Sequence, residues 1–157
     1  MHSARRKWSE GVNDQLFRIL LVEDNSGDVY LFRLALEIAK LNFELIVIDD
    51  GAAALAFVRG EGKYAGRPVP DLAVLDLNLP KHEGAEVLEA IRQSQDLANI
   101  PVVITSSSAS PHDRTKTEHL GVERYINKPH DLEEFLKIGL TFRDILESSA
   151  RRPSRTA

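Results

Sequence analysis

Short, largely apolar segments recur along the chain, and most are followed by a segment whose apolar residues lie three or four positions apart. Four of them are residues 17–22, 45–48, 72–75 and 102–105, and the more polar segment 124–127 is the fifth. The segment that follows 102–105 has almost no apolar stripe, so we expect most of its surface to face water. Short continuous apolar runs are typical of strands buried on both faces of a parallel sheet, and the wider spacing is typical of amphipathic helices. The alternation predicts an α/β fold with a five-stranded parallel sheet, doubly wound in the order (βα)5.

Residues that cap exposed backbone groups mark the helix ends. Asn25 precedes the first helix, and Ser110 followed by Pro111 opens the fourth. Asp131 opens the last helix, and Glu134, three residues later, completes the pattern of a capping box. These signals predict helices with defined starts, the last of them a single continuous helix.

Length and composition fit one domain with a substantial core. The chain has 157 residues, of which 43 % are hydrophobic, and no cysteine, which excludes disulfides, thiolate catalysis and cysteine-bound zinc. We predict an N-terminal tail at 1–15, the domain at 16–147 and a basic C-terminal tail at 148–157. No linker or repeat divides the domain, and no residues are left for a DNA-binding domain.

Charge and hydropathy narrow the class of partner. The net charge is −4, while basic residues gather in the two tails, so that the predicted domain is acidic. An acidic domain argues against nucleic acid as the main partner. No apolar run approaches the ~20 residues that span a bilayer, and the N-terminus lacks the apolar core of a secretory signal. We therefore expect a cytoplasmic protein that does not enter the membrane.

Charged residues follow three of the predicted strands. Glu23 and Asp24 follow the first strand, Asp76 follows the third, and Lys128 follows the fifth. Because the carboxyl ends of parallel strands meet at one edge of a sheet, we expect these side chains to lie together. Each feature alone is ordinary, since strand ends often carry solvated charge and Lys-Pro is a common turn. Their combination at successive strand ends is what points to a site.

A site of three carboxylates and one lysine suits a divalent cation and a phosphoryl group. A carboxylate such as Asp76 can attack phosphorus, and Mg²⁺, which prefers oxygen ligands, offsets the repulsion between the two anions. Asp24 and Asp76 are candidates to bind Mg²⁺ directly, Glu23 through water, and Asn78 through its backbone carbonyl. Lys128 supplies positive charge to the phosphoryl oxygens. A hydroxyl at the end of the fourth strand, for which Ser106 is our candidate, would bond one of these oxygens.

These segments resemble the receiver domain of response regulators in two-component signalling, which has a flavodoxin-like, CheY-like fold. The resemblance covers about residues 17–146. The matching pieces are Ile19-Leu20-Leu21-Val22-Glu23-Asp24, Leu75-Asp76-Leu77-Asn78-Leu79-Pro80, Gly84, Pro101-Val102-Val103-Ile104-Thr105-Ser106 and Tyr125-Ile126-Asn127-Lys128-Pro129.

The resemblance implies a role for each matching position. Asp76 accepts a phosphoryl group from the phosphohistidine of a sensor histidine kinase. The metal ligands are Glu23, Asp24, Asp76 and the carbonyl of Asn78, and the phosphoryl group contacts Ser106, Ser107 and Lys128. Tyr125 turns inward as Ser106 moves, which changes the surface of the fourth helix, fifth strand and fifth helix. The Lys128–Pro129 bond is expected to be cis.

The loop at 60–70 and the phrase that follows Asp76 resemble one subgroup, the stand-alone regulators paired with phytochrome-type histidine kinases. Without an output domain, the surface of the last helix becomes a candidate interface. Ile138, Thr141 and Ile145 form a line beside the core-facing stripe and are candidate interface residues. We predict a symmetric homodimer through the fourth and fifth helices. The alternative is that this line is part of a wide core-facing stripe.

Two other functions compete with a phosphorylated switch. A degenerate receiver would serve only as a protein-interaction scaffold, although every residue that the chemistry needs is present. An aspartyl-phosphate phosphohydrolase of the haloacid-dehalogenase type would carry its nucleophile after the first strand and an acid two residues later. Here the candidate nucleophile, Asp76, follows the third strand, and Asn78 stands two residues on. We therefore expect a signalling switch and not an enzyme that turns over a separate substrate.

Overall fold

The computed structural model of the protein describes residues 15–79, 84–107 and 111–151, with backbone alone at 111–113 and 151. The strands are β1 Phe17–Val22, β2 Phe43–Ile48, β3 Leu72–Asp76, β4 Val102–Ser106 and β5 Arg124–Asn127. The helices are α1 Ser26–Ile38, α2 Gly51–Arg59, α3 Gly84–Gln93, α4 Pro111–Thr117, α5 Leu132–Leu136 and α6 Ile138–Arg151. Short 3-10 turns lie at Gly62–Tyr64 and Glu118–Leu120.

All five strands pair in parallel, in the order β2-β1-β3-β4-β5. The predicted sheet is therefore confirmed. Val22 lies beside Leu75, and Asp76 lies beside Thr105, so the carboxyl ends of the central strands are level with one another. The order reverses between β1 and β3, and parallel sheets of this kind bind ligands at such a reversal.

The core has two layers, one on each face of the sheet. Successive residues of β1 divide between them: Leu20 and Val22 pack with α2 and α3, whereas Ile19 and Leu21 pack with α1, α5 and α6. Alternation of side chains along a strand produces this division. Burial of β1, β3 and β4 on both faces explains why their sequences are largely apolar.

Side chains cap the helices where the sequence predicts them. Asn25 accepts a hydrogen bond from the backbone of Asp28 at the start of α1, and Asp131 accepts one from the backbone of Glu134 at the start of α5. The carboxylate of Glu134 pairs with Lys137, so its half of the predicted capping box does not form there. The predicted cap at Ser110 lies outside the described residues.

The loop between α2 and β3 is ordered around Arg67. Its guanidinium donates to the carbonyls of Phe57 and Val58 at the end of α2. It also pairs with both carboxylate oxygens of Asp96, at 2.8 and 3.0 Å. The hydrogen bond from Arg67 lowers the pKa of Asp96 to about 2. One arginine therefore ties this loop to the ends of two helices.

The last helix differs from the single helix that was predicted, because it is interrupted at Lys137. The proposed interface line is also wrong, since Ile138 and Ile145 are only 5 % and 7 % exposed and belong to the core. The reason is the close approach of α6 to α1 at Gly139, where any Cβ would overlap the carbonyl oxygen of Ala35. This approach widens the buried stripe of α6 to include both isoleucines.

The exposed apolar residues of these helices lie elsewhere. Leu132 and Leu140 are each 56 % exposed, whereas Thr141 is half-buried. The apolar surface of α5 and α6 is therefore carried by these two leucines and not by the line predicted from the sequence.

Most of the two predicted tails, at residues 1–14 and 152–157, lies outside the described range. Helix α6 continues to Arg151, so the structured part extends past the predicted boundary at residue 147. None of the described helices combines the length and the apolar character that crossing a bilayer requires.

Substitution of Gly139 by alanine tests the close approach of α6 to α1. We expect Gly139→Ala to lower the free energy of unfolding by roughly 2 kcal/mol or more, because the added Cβ forces two packed backbones apart. Ser148→Ala, at an exposed position of the same helix, is the control and should change the free energy by less than about 0.5 kcal/mol. Equal denaturation midpoints for the two variants in urea would contradict this packing.

Candidate functional site

The charged residues singled out from the sequence meet at the carboxyl edge of the sheet. Asp76 is the last residue of β3, and Glu23 directly follows β1. Lys128 follows β5, and its backbone N–H donates to the carbonyl of Ser106 at 2.8 Å. Parallel pairing of β1, β3, β4 and β5 is what brings together residues that lie more than a hundred positions apart in the chain.

Lys128 is the centre of the site. Its ammonium nitrogen lies 2.6 Å from Oε1 of Glu23 and 3.0 Å from Oδ2 of Asp76. A third carboxylate, that of Asp28 in the first turn of α1, lies 2.9 Å away. Burial alone would lower the pKa of Lys128, but hydrogen bonds to the three carboxylates outweigh burial and raise it. The lysine is therefore charged and bound to acids that come from three different elements.

Glu23 is the most deeply buried acid of the site, at 1 % exposure. Burial, together with the nearby charge of Asp76, raises the pKa of Glu23 from 4.5 to about 7, although the pairing with Lys128 opposes the shift. Its Oε2 accepts from the backbone of Asn25. Its Oε1, although close to Lys128, is the buried side-chain oxygen that lacks a well-aligned hydrogen bond among the described residues.

The carboxylates fit a hard divalent cation. One oxygen each from Glu23, Asp24 and Asp76 lies within 4.8 Å of the others, and Asp24 is exposed to solvent while the other two are buried. The buried oxygen of Glu23 without an aligned donor is the kind of atom that a cation, directly or through bound water, would satisfy. Oxygen donors with access to water on one side suit Mg²⁺ or Mn²⁺.

The backbone around Asp76 is held in place from two sides. The N–H of Asn78 donates to Oδ1 of Asp76 at 2.8 Å, which orients the carboxylate. Gly84, at the start of α3, lies so close that a Cβ there would overlap the carbonyl oxygen of Asp76. This close approach explains why position 84 is occupied by glycine, which has no Cβ. Residues 80–83 between them lie outside the described range.

The hydroxyl candidates differ in their position. Ser106 is buried at the end of β4, paired in register with Asn127, whereas Ser107 is exposed directly after the strand. A small cavity of about 10 Å³ lies beside Ser106, lined also by Leu77 and Tyr125. The cavity is far too small to hold an aromatic ring, so the ring of Tyr125 borders it without filling it.

Tyr125 is held by residues of α4. Its hydroxyl lies 2.6 Å from the hydroxyl of Thr117, which is fully buried, and the guanidinium of Arg114 lies 4.7 Å from the centre of its ring. The ring is half-buried between the sheet and α4. Tyr125 therefore connects the end of β5 with the helix that follows β4.

The expected cis peptide at Lys128–Pro129 is wrong, because none of the peptide bonds between described residues is cis. Trans is the more stable isomer of a bond before proline by roughly 0.5–1 kcal/mol. The backbone bond from Lys128 to Ser106 and the reach of its ammonium to Asp76 both form with the trans isomer. Nothing in the geometry of the site requires the rarer one.

Asp28 and Thr117 are site residues that were not predicted from the sequence. Asp28 lies one helical turn beyond the acid pair, in the first turn of a helix that starts at the edge of the sheet. An acid in that position also interacts favourably with the helix dipole, so its sequence signal is that of an ordinary helix start. Thr117 gave no signal, because the last turn of α4 is otherwise polar.

Comparisons with known proteins agree with this geometry. The sequence pattern of the response regulator receiver domain matches residues 19–138. The response regulator Rcp1 of Synechocystis sp. is 42 % identical over 120 residues, which cover 76 % of this chain and 82 % of Rcp1.

Solved structures are similar over most of the chain. The phosphorylated cyanobacterial phytochrome response regulator RcpA aligns with a TM-score of 0.80 and 38 % identity, over 89 % of this chain and all of RcpA. The Mn²⁺-bound form of Rcp1 aligns with a TM-score of 0.78 and 37 % identity, over 88 % of this chain and 99 % of that structure. The family match at residues 19–138 includes Glu23, Asp76 and Lys128.

The raised pKa of Glu23 predicts how stability depends on pH. Between about pH 4.5 and 7 the folded protein holds a proton on Glu23 that the unfolded chain has lost, so this residue makes stability fall as pH rises. In the metal-free protein, with chelator present, Glu23→Gln lacks this titrating group. As pH rises from 5 to 7.5, its free energy of unfolding should therefore increase by on the order of 2 kcal/mol relative to that of the unchanged protein.

Urea denaturation at several pH values measures this difference. Glu37→Gln, which removes an exposed acid of α1, is the matched control and should leave the pH profile unchanged. Parallel profiles for Glu23→Gln and the unchanged protein would show that Glu23 titrates at its ordinary pKa.

Proposed function

Because the chain belongs to the response regulator receiver family, we propose that it is a stand-alone switch of a two-component phosphorelay whose phosphoryl acceptor is Asp76. Receiver domains take phosphate from histidine kinases, which fits a role in such a relay. The observation that carries the assignment is the contact of Lys128 with the Asp76 carboxylate at the edge of the sheet, beside buried Glu23.

The proposed step moves one phosphoryl group to Asp76. A carboxylate oxygen of Asp76 attacks phosphorus, the new O–P bond forms, and the bond from phosphorus to the histidine nitrogen of the kinase breaks with its electron pair on nitrogen. Lys128 offsets the negative charge on the phosphoryl oxygens, and the hydroxyls of Ser106 and Ser107 contact them. The N–H of Asn78 keeps the other oxygen of Asp76 fixed during attack.

The residues that would hold Mg²⁺ are Glu23, Asp24, Asp76 and, through its carbonyl, Asn78. The clustering of the three carboxylates supports this set, and the related Rcp1 has been solved with Mn²⁺. The cation supplies charge neutralisation between the carboxylate and the incoming phosphoryl group. Asp24, as the exposed member, leaves the site open to water and to the donor.

The output of the switch follows from the contacts of Ser106 and Tyr125. The phosphoryl group carries roughly two negative charges where the carboxylate of Asp76 carried one, and the hydroxyl of Ser106 turns toward its oxygens. The space beside Ser106, now about 10 Å³, then enlarges and can receive Tyr125, which must leave Thr117. The surface formed by α4, β5 and α5 changes as a result, which is a two-state change biased by local charge.

The partners remain predictions. The relatives include a cyanobacterial phytochrome response regulator, which supports a phytochrome-type histidine kinase as the donor. A homodimer is still expected, but its interface is not the buried line of Ile138 and Ile145. The exposed Leu140 is the interface candidate instead. Light scattering on Leu140→Glu, with Ser148→Glu as control, tests it. A cytoplasmic location also stays a prediction.

Phosphorylation by acetyl phosphate tests the acceptor. With Mg²⁺ present, we expect the unchanged protein to gain one phosphoryl group by intact mass, as the bond from phosphorus to the acetyl oxygen breaks and acetate leaves. Asp76→Asn should gain none, because the amide is a poor nucleophile. Asp49→Asn, which changes an exposed acid that follows β2 at the same edge, should gain one group like the unchanged protein.

Two outcomes would count against the proposal. A phosphoryl group on Asp76→Asn would place the acceptor elsewhere. A lack of phosphorylation in the unchanged protein, when a known receiver domain reacts in parallel, would favour the scaffold function. In either event the assignment of Asp76 as the acceptor would be withdrawn.

A further inference from the structure

Asp28 is the one partner of Lys128 that has no part in the proposed phosphoryl transfer. Glu23 and Asp76 belong to the expected metal and acceptor sites, whereas Asp28 lies on α1 and is not a member of the acidic cluster. Its Oδ2 nevertheless accepts a hydrogen bond from the ammonium at 2.9 Å, as short as the bond to Asp76 at 3.0 Å. The backbone N–H of Asp28 donates to the Asn25 cap, which fixes this turn at the site.

The donors of the ammonium are already shared among these acids. A lysine side chain has three N–H donors. Those of Lys128 make hydrogen bonds to Asp28 and Asp76, and Oε1 of Glu23 lies 2.6 Å from the same nitrogen. A phosphoryl oxygen that approaches the ammonium therefore competes with these carboxylates. The carboxylate of Asp76 is the group that reacts, and that of Glu23 is almost fully buried, so neither can be released into water.

Asp28 is the carboxylate whose release is easiest. Its side chain is 24 % exposed, whereas those of Glu23 and Asp76 are 0 % and 7 % exposed. Water can therefore replace Lys128 as the partner of Asp28, and desolvation does not hold the pair together as it does for the buried acids.

We propose that Asp28 is a positioning residue that holds Lys128 in the unphosphorylated protein and competes with the phosphoryl group for its ammonium. Asp28 thereby sets how tightly the site holds a phosphoryl group once Asp76 has accepted it. This role rests on the proposed acceptor function of Asp76. It is distinct from capping, because loss of a helix-start contact would loosen the site, whereas loss of a competitor strengthens its grip on an anion.

The affinity for beryllofluoride, a phosphoryl mimic, measures this competition. In a ¹⁹F NMR titration with saturating Mg²⁺, we expect Asp28→Asn to bind beryllofluoride roughly three- to tenfold more tightly than the unchanged protein, the range of a partly exposed ion pair. Asp49→Asn removes the same charge from an exposed residue at the same edge of the sheet and should bind like the unchanged protein. Thermal unfolding of each variant checks that it is folded.

Each other outcome overturns the proposal in its own way. Equal or weaker binding by Asp28→Asn would mean that Asp28 supports the site or only caps α1. An equal gain in Asp49→Asn would mean that net charge alone sets the affinity. Absence of bound beryllofluoride in the unchanged protein would overturn the acceptor function of Asp76 and this role of Asp28 together.

Discussion

The attraction between one lysine and three carboxylates is the constraint on which the rest of the site depends. Buried charges are costly unless they are paired, and here Lys128 and Glu23 are both almost withdrawn from water. The pairing holds Glu23, Asp28 and Asp76 close together although the acids repel one another. The pKa of Glu23 is raised by its burial first and by the charge of Asp76 second. A cation and a phosphoryl group, once bound, rearrange this balance of charge, and that rearrangement is the physical basis of a switch.

The fold supplies the positions that this balance needs. Parallel pairing of β1, β3, β4 and β5 brings the ends of four strands to one edge, and a core on both faces keeps them there. The same edge borders the small cavity between Ser106 and Tyr125, and the tyrosine contacts Thr117 of α4. A change of charge at Asp76 therefore has a short path of direct contacts to a helix at the surface.

The fold and the core of the site could be predicted from the sequence because both rest on local signals. Runs such as 72–75 identify buried strands, and the acids that follow them must meet once the strands are parallel. The rest depends on tertiary contacts. The burial of Ile138 and Ile145 follows from the approach of Gly139 to Ala35, and the pairing of Asp28 with Lys128 joins residues a hundred positions apart. The trans bond before Pro129 contradicts an expectation drawn from resemblance alone.

A crystal structure with Mg²⁺ and beryllofluoride bound tests the central claim most directly. We expect beryllium attached to a carboxylate oxygen of Asp76, the cation held by Glu23, Asp24 and Asp76, and the ammonium of Lys128 moved from Asp28 to a fluorine atom. Beryllofluoride bound away from Asp76, or bound there while Lys128 keeps all three of its carboxylate partners, would contradict it.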